Sequence, residues 1–198
     1  ESVELLSHTL DKKISISKEL SAGISQIMAD SSQLINVILN LGLNAGYAMP
    51  DGGSLVFKTK TVTLNEDYCY RSSFKLSPGE YIQLDVIDSG CGIAPENLNK
   101  IFDPFFTTKS QGEGTGLGLS TVYGTIQQHN AAITVESRVG EGTVFHLFFK
   151  IMIIPTTANS NIESPVSGKG TILLVDDEEV IRITTKAILE GLGYNLLT

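Results

Sequence analysis

The sequence predicts an α/β protein with a second, shorter segment after it. In some stretches apolar residues recur at the spacing of an amphipathic helix, and in others they alternate with polar residues as in a half-buried strand. Residues 155–170 are rich in Ser, Thr, Asn, Gly and Pro, which is the composition of a linker. With 198 residues, the chain can form one complete domain and part of another.

Helices are expected where start and stop signals agree. Asp30 is a suitable N-cap for a helix that ends at Met49, because Pro50 and the turn sequence DGG follow. Pro95 is suited to open a short helix, and another helix is expected after a glycine-rich run. The expected helices span residues 3–10, 30–49, 95–102 and 116–129.

Strands are expected where apolar and polar residues alternate, as in KKISISKEL near the start. The expected strands span residues 12–20, 54–64, 80–88, 132–137 and 143–149. A polar loop that contains Tyr68 to Ser77 separates the second and third of them, and RVGEG joins the last two. Residues 102–115 are expected to form a mobile loop.

Composition argues against several classes of partner. The net charge of −8 disfavours broad electrostatic binding to nucleic acid or to an anionic membrane. The apolar run over 144–154 is about half the length needed to cross a bilayer. Cys69 and Cys91 are expected to be reduced thiols of a cytoplasmic protein. Because the sequence begins with Glu1 instead of Met, we expect the chain to be part of a longer protein. Any membrane anchor of that protein is expected to lie outside this chain.

Two glycine clusters indicate phosphate binding. DSGCGI occupies residues 88–93 and GTGLGL occupies 114–119, and the second leads into a helix. Backbone without Cβ can approach an anion closely, and a helix N-terminus adds unpaired N–H donors. No GK followed by Ser or Thr completes a Walker-type loop, and His8, His129 and His146 have no adjacent acid pair or zinc-type spacing.

Three further groups have both a functional and an ordinary interpretation. Asn36, Asn40 and Asn44 line one face of the long helix, either as ligands for a hard cation such as Mg²⁺ or as a solvated polar face. Asp88 either accepts a hydrogen bond from an exocyclic amine such as that of adenine or belongs to a common Asp-Gly turn. Lys109 either meets a terminal phosphate or is a solvated lysine.

In order, NVILNLGLNAGYA, DSGCGI, IFDPFFTTK, GTGLGL and GEGTVF resemble the sequence boxes of bacterial sensor histidine kinases. The long loop around residues 65–79 resembles that of the nitrogen-regulation and PAS-linked branch. The resemblance implies a two-layer α/β sandwich, with a mixed sheet and helices on one face, shared with topoisomerase, mismatch-repair and heat-shock chaperone ATPases. It also implies a catalytic domain that transfers the γ-phosphoryl of Mg-ATP to a histidine on a dimerisation domain outside this chain.

The resemblance further implies a role for individual residues. Asn44 would bind Mg²⁺, Asn40 would assist at the reacting end, and Asp88 would recognise adenine with support from the Thr143 hydroxyl or a water. Lys109 would approach the γ-phosphate. The implied ATP-binding residues are Asn44, Asp88, Gly90, Gly92, Ile93, Thr108, Lys109, Gly114, Thr115, Gly116, Leu117, Gly118, Leu119 and Thr143. Related hydrolytic ATPases carry a Glu at position 40, and Asn is not basic enough to activate water, so we expect slow hydrolysis.

Departures from the family pattern lead to further expectations. Gly42 and Gly46 stand where relatives carry larger side chains, so we expect a softer helix and lower nucleotide affinity. Residues 171–198 resemble the opening of a response-regulator receiver domain, with a buried-type strand TILLVDDE, a helix and the start of a second strand. Asp176 and Asp177 match its Mg²⁺-binding acidic pair. One strand and one helix cannot close such a domain, so we expect this piece to be weakly ordered or docked opportunistically.

The chain is therefore expected to be part of a cytoplasmic hybrid kinase. The expected segments are 1–12 as the end of a linker from the dimerisation domain, 13–152 as the ATP-binding domain, 153–170 as a flexible linker and 171–198 as a truncated receiver. The expected partners are ATP and the dimerisation and receiver domains of the parent protein. A hydrolytic ATPase of the same fold and a nucleotide-binding regulatory module without phosphotransfer are the alternatives.

Overall fold

The protein is described by a computed structural model that covers residues 2–23, 25–109, 114–152, 169–175, 182, 185–186 and 189–197. The chain divides into two compact units, Glu1–Ile153 and Ile154–Thr198. The elements of the first unit are α1 (Ser2–Thr9), β1 (Ile14–Leu20), α2 (Ser31–Ala48), β2 (Gly53–Leu64), α3 (Glu66–Arg71), β3 (Gly79–Asp88), α4 (Pro95–Leu98), α5 (Gly118–Gln128), β4 (Ala132–Arg138) and β5 (Gly142–Lys150).

The five strands of this unit form one mixed sheet. Their order is β1-β2-β3-β5-β4, in which β1 pairs with β2 in parallel and the other pairs are antiparallel. The α/β class and the mixed sheet predicted from the sequence are therefore confirmed. The strand bounds agree with those expected to within two residues.

One face of the sheet forms the main core with the long helices. Alternate residues of the central strands point to this face, including Phe57, Val86 and Leu147, all of which are buried. They belong to one apolar cluster with Leu41 of α2 and Ile126 of α5. This packing fixes α2, which carries Asn40 and Asn44, and α5, which begins at Gly118, on the same side of the sheet as Asp88.

The long helix begins and ends as predicted. Asp30 caps α2, because its Oδ1 accepts a hydrogen bond from the N–H of Gln33 at 3.0 Å. The helix ends at Ala48, two residues before Pro50. On its outer side, α1 places Leu6 against Gly42, and Leu6 is completely buried.

Two predictions for this unit were wrong in detail. The polar loop after β2 contains a helix, α3, which Asn65 caps by accepting from the Tyr68 N–H at 2.9 Å. The Tyr68 ring lies 5.9 Å from that of Phe148, which points away from the main core, so the helices do not all lie on one face. The helix that starts at Pro95 ends at Leu98, four residues earlier than expected.

The second unit contains two short strands among its described residues. Strand β6 (Thr171–Leu173) pairs in parallel with β7 (Asn195–Leu197), which matches the expected order of a first and a second strand. The expectation of a buried strand was wrong, since Leu173 is 68% exposed and the described residues of this unit include no layer that covers it. Asp176 and Asp177, most of the expected helix and linker residues 153–168 lie outside the described residues.

No helix within the described part of the chain is long and apolar enough to cross a membrane.

Candidate functional site

Two asparagines of α2 face the start of α5. The Nδ2 of Asn40 donates to the backbone oxygen of Asn36 at 2.9 Å, which directs its Oδ1 away from the helix. A Cβ built on Gly118 would lie 3.1 Å from Asn40 Oδ1 and 3.9 Å from Asn44 Nδ2. Leu117, the N-cap residue of α5, makes no side-chain cap hydrogen bond, and the first-turn N–H groups, which have no partner within the helix itself, begin at Gly118 beside these amides. Amide oxygens and helix N–H groups therefore converge where the sequence suggested phosphates.

Lys109 adds a positive charge to this group. Its Nζ lies 3.3 Å from Asn44 Oδ1 and 3.5 Å from the centroid of the Tyr47 ring. Its backbone N–H donates to Thr107 Oγ1 at 3.1 Å, whereas Thr108 is exposed. The structure thus brings together Lys109 and Asn44, which are 65 residues apart in the sequence.

The second glycine cluster packs against the segment that carries Lys109. Gly116 has a φ of +66°, and a Cβ there would lie 2.3 Å from the carbonyl carbon of Phe105. A Cβ on Gly114 would lie 2.7 Å from Thr107 Oγ1 and 3.0 Å from Lys109 Cδ. Here glycine is required by close packing of two segments of the protein itself, in addition to any approach of a ligand.

Other members of this cluster lie at the start of α5. The N–H of Leu117 donates to Thr115 Oγ1 at 3.3 Å. Leu117 is 41% exposed, whereas Leu119 is partly buried against the core. Residues 110–113, which precede the cluster, lie outside the described residues.

Asp88 occupies the end of β3 in a buried position. Its side chain is 7% exposed, and its Oδ1 accepts from the Gly90 N–H at 2.9 Å. Burial raises the pKa of Asp88, because it disfavours the charged form, and hydrogen bonds from the backbone of Gly90 and Thr143 partly oppose this rise. An ionised carboxylate has about four acceptor sites, so beyond these two backbone partners it can also accept a hydrogen bond from a ligand N–H group.

Thr143 lies directly opposite Asp88 in the sheet, but its hydroxyl has a different partner from the one expected. The backbone of Thr143 interacts with the Asp88 carboxyl, whereas its Oγ1 lies 3.0 Å from Ser137 Oγ. Ser137 Oγ also accepts from the Ile93 N–H at 2.8 Å. Ser137 has no motif of its own in the sequence, but the tight β4–β5 hairpin places it across from Thr143.

The first glycine cluster is held between α2 and the β4–β5 turn. The Cys91 N–H donates to the oxygen of Ala48 at 2.9 Å, and a Cβ on Gly90 would lie 2.6 Å from the Ala48 Cβ. Gly92 has a φ of +71°, and its Cβ would lie 2.1 Å from the Arg138 oxygen. Ala48 is one turn of α2, about 6 Å, beyond Asn44. The candidate site therefore extends along α2, with the amides and Lys109 at one end and Asp88 at the other.

The oxygen donors available to a metal in this site are amide groups. No group of three or more His, Cys, Asp or Glu within the described part of the chain is arranged to hold one. Mg²⁺ accepts oxygen ligands and usually keeps several waters, so one or two amide oxygens are enough when phosphate oxygens complete its shell. The Asn44 oxygen already contacts the Lys109 ammonium, which shows that it is placed to meet a cation. The donor set therefore fits Mg²⁺ that arrives with a nucleotide.

One arrangement outside this site was not visible in the sequence. His146 has no acidic neighbour along the chain, yet its Nδ1 lies 2.6 Å from Asp85 Oδ1 across the β3–β5 pair. Gln83 Nε2 lies 2.6 Å from the same Asp85 oxygen. This polar cluster lies on the sheet face opposite the main core and shares no residue with the candidate site.

The fold is a mixed five-stranded sheet packed against helices. Two asparagines of α2, a buried aspartate at the end of β3 and two glycine clusters lie along one side of it, which defines a nucleotide-binding α/β domain. Residues 29–153 match the family described as histidine kinase-, DNA gyrase B-, and HSP90-like ATPase, so the chain belongs to this family. Its first unit is an ATP-binding catalytic domain of the kind found in sensor histidine kinases.

Comparison with individual proteins gives the same class. The chain is 36% identical to the sensor kinase CckA of Brucella abortus, in an alignment that covers 97% of this chain and 21% of CckA. It is 38% identical to the sensor histidine kinase ZraS of Salmonella typhi over 65% of this chain and 24% of ZraS. The structure of the mycobacterial sensor histidine kinase MprB aligns with a TM-score of 0.58 and 25% identity, covering 76% of this chain and 91% of that one. The chain thus spans about a quarter or less of the length of these curated relatives.

Proposed function

We propose that this chain is the ATP-binding part of a hybrid sensor histidine kinase and transfers the γ-phosphoryl of Mg-ATP to a histidine on a dimerisation domain of the parent protein. The observation that carries this proposal is the convergence of Asn40, Asn44, Lys109 and the N-terminal end of α5. Amide oxygens, an ammonium and helix N–H groups at one point suit a terminal phosphate and its metal.

Each end of the site has a proposed role. Asp88 accepts a hydrogen bond from the exocyclic amine of adenine. It therefore disfavours guanine, which presents a carbonyl oxygen at that position. The backbone of residues 114–119 donates to the phosphate chain, and Lys109 contacts the γ-phosphate. Asn44 would contribute an oxygen to Mg²⁺, and the ion would neutralise part of the negative charge of the phosphates. In the transfer, an imidazole nitrogen of the acceptor histidine bonds to the γ-phosphorus, and the bond to the bridging oxygen breaks to leave ADP.

Asn40 separates this proposal from a hydrolytic ATPase of the same fold. A neutral amide does not take a proton from water, so water at the γ-phosphate is not activated by this residue. We expect the isolated chain to bind Mg-ATP and to turn it over slowly. Rapid steady-state release of phosphate by the purified chain would favour the hydrolytic alternative instead.

The direct test adds the missing acceptor. The chain is mixed with a separately expressed dimerisation domain of the parent protein and ATP labelled at the γ-phosphate, and labelled protein is measured with time. Transfer should give an acid-labile, base-stable label on the acceptor's histidine, and Asn44→Ala should reduce it strongly. Binding of ATP without any label on the acceptor would favour the regulatory module, which binds nucleotide without passing a phosphoryl group on.

We further propose that residues 171–198 begin a receiver domain and that the parent acts in the cytoplasm. The parallel β6–β7 pair supports the order expected of such a domain. The alignment with CckA also supports it, because coverage of 97% extends beyond the family-matched residues 29–153. Asp176 and Asp177 remain proposed as its acidic pair. Amide exchange of the monomer should be fast over much of 171–192, and strong protection throughout that range would contradict the expected weak order.

A further inference from the structure

The aromatic residue next to the phosphate end of the site has no role in the proposal above. Tyr47 lies on α2, three residues after Asn44, and therefore on nearly the same face of the helix. Its side chain is 61% exposed, so it contributes little to the core. The ring instead faces the ammonium of Lys109, with the Nζ 3.5 Å from its centroid.

Lys109 contacts the ring and the amide at the same time. Its Nζ is 3.3 Å from Asn44 Oδ1, the oxygen proposed for Mg²⁺. A lysine side chain has many rotamers, and an ammonium that must meet a phosphate benefits from being held near it beforehand. The negative face of an aromatic ring attracts a cation without forming a directional bond, so it restrains the ammonium while leaving it able to turn.

We infer that Tyr47 is a positioning residue, whose ring holds the Lys109 ammonium at the phosphate end of the site. This inference rests on the proposed function, because the group that Lys109 is held for is the γ-phosphate. Without nucleotide, Lys109 contacts both the Tyr47 ring and Asn44 Oδ1. If Asn44 gave its oxygen to Mg²⁺, repulsion between the two cations would move the ammonium off the amide, and the ring would keep the ammonium within reach of the phosphate.

The chemistry of the contact determines which replacements should matter. Phe presents the same aromatic face as Tyr and lacks only the hydroxyl, so Tyr47→Phe should retain the function. Leu is apolar and bulky but has no π-system, so Tyr47→Leu should lose it. Because the position is exposed, both variants should remain folded, which thermal unfolding will check.

Calorimetric titration with ATP and ADP in excess Mg²⁺ tests the inference. We expect Tyr47→Leu to weaken ATP binding about two- to fivefold, the range of an exposed cation–π contact, and to leave ADP binding unchanged. Tyr47→Phe should match the unsubstituted protein. In a Lys109→Met background, Tyr47→Leu should have no further effect on ATP binding, since the group it positions is gone.

Several outcomes would overturn the inference. They are equal weakening of ATP and ADP by Tyr47→Leu, additive effects of Tyr47→Leu and Lys109→Met, and tighter ATP binding by Tyr47→Leu, which would mean that the ring withholds the lysine. If the unsubstituted protein bound neither nucleotide, the proposed function itself would fail. The two kinds of failure are therefore distinguishable.

A measurement without nucleotide checks the contact directly. Because the Lys109 Nζ is 3.5 Å from the centroid of the Tyr47 ring, the protons on the adjacent methylene should be shifted upfield by the ring in the NMR spectrum of the free protein. The shift should persist in Tyr47→Phe and disappear in Tyr47→Leu. Ordinary lysine shifts in the unsubstituted protein would contradict the inference, whatever the binding data show.

Discussion

The backbone N–H of Phe105 donates to the oxygen of Gly116 at 2.9 Å, and the two backbones lie so close that no Cβ fits on Gly116. Phe105 has a φ of +67°, which is unusual for an aromatic residue. A left-handed Phe next to a left-handed Gly fixes the segment before Lys109 against the loop after it. This contact explains why glycine is needed here even without a ligand.

We expect Gly116→Ala to destabilise the protein by about 2 kcal/mol or more. The new Cβ would clash with the Phe105 backbone, and the alanine would have to keep a positive φ that is unfavourable for it. Gly124→Ala is the matched control, since a Cβ there has nothing within 4 Å and Gly124 is inside helix α5. That change should stabilise by about 0.5–1 kcal/mol. Urea unfolding measures both, and an equal effect of the two substitutions would refute the packing explanation.

The pKa of Asp88 leads to a prediction about pH. Because its pKa in the folded protein is raised above the ordinary 3.8, the folded state retains this proton more strongly than the unfolded state. The resulting stabilisation is fully present below the ordinary pKa and is lost as the pH rises through the raised value. At neutral pH the buried carboxylate therefore lowers the stability of the nucleotide-free protein.

Asp88→Asn should remove this pH dependence while keeping an oxygen for the Gly90 N–H. The free energy of unfolding of the variant, relative to the unsubstituted protein, should rise between pH 4 and pH 7. ATP binding should weaken by roughly 1.5–3 kcal/mol, the value of a hydrogen bond to a charged group. A constant difference in stability across this pH range would show that Asp88 does not titrate abnormally.

Much of the fold follows from local patterns, and the site does so only in part. The capping of α2 by Asp30 and the alternation in β1 are local, so both elements were predicted correctly. Helix α3 was missed because six residues are too few for a periodic pattern, although Asn65 and the acidic residues after it were a usable cap signal.

Contacts between distant segments could not be predicted. Nothing near Lys109 in the sequence indicates that it meets Tyr47, and nothing near Thr143 indicates that its hydroxyl contacts Ser137. The glycines in both clusters suggested that the backbone approaches a phosphate. In the structure, however, a Cβ placed on Gly90 would clash with Ala48. A glycine pattern reports that space is short, and only the fold shows whether a ligand or the protein occupies that space.

The two glycines of α2 pack against leucines near the start of the chain. Gly42 lies against Leu6 of α1, and Gly46 lies against Leu10, which follows α1. A Cβ on Gly42 would have three atoms of the buried Leu6 side chain within 3.2 Å, whereas a Cβ on Gly46 would meet one atom of Leu10 closer than 3.7 Å. Leu10 is only partly buried and can rotate away. We expect Gly46→Ala to stabilise by up to about 1 kcal/mol through helix propensity.

Gly42→Ala should instead destabilise by about 1 kcal/mol, because overpacking outweighs the gain in propensity. Thermal unfolding of both variants measures the contrast. In a Leu6→Ala background, Gly42→Ala should become favourable, and failure of this rescue would exclude the contact with Leu6 as the cause. We also expect the stiffer helix of Gly46→Ala to bind nucleotide more tightly, which calorimetry can measure.

An aromatic stack connects the segment after α3 to the segment before Lys109. The Phe74 and Tyr123 rings are 5.3 Å apart, and the Tyr123 and Phe102 rings are 5.2 Å apart. Phe74 is 8% exposed, so this loop is anchored on α5 rather than free in solvent. Because Tyr123 contacts both phenylalanines, loss of Phe74 removes one of the two aromatic contacts of Tyr123.

Phe74→Ala should therefore destabilise the protein by about 3 kcal/mol, as expected for truncation of a buried aromatic side chain. Tyr70→Ala is the control from the same β2–β3 connection, since Tyr70 is 91% exposed, and it should change stability by less than about 0.5 kcal/mol. Urea unfolding followed by far-UV circular dichroism distinguishes the two. Equal stability of Phe74→Ala and Tyr70→Ala would mean that the β2–β3 connection is held only through the two strands that flank it. The Phe74–Tyr123 contact would then contribute nothing to the stability of the α5 region.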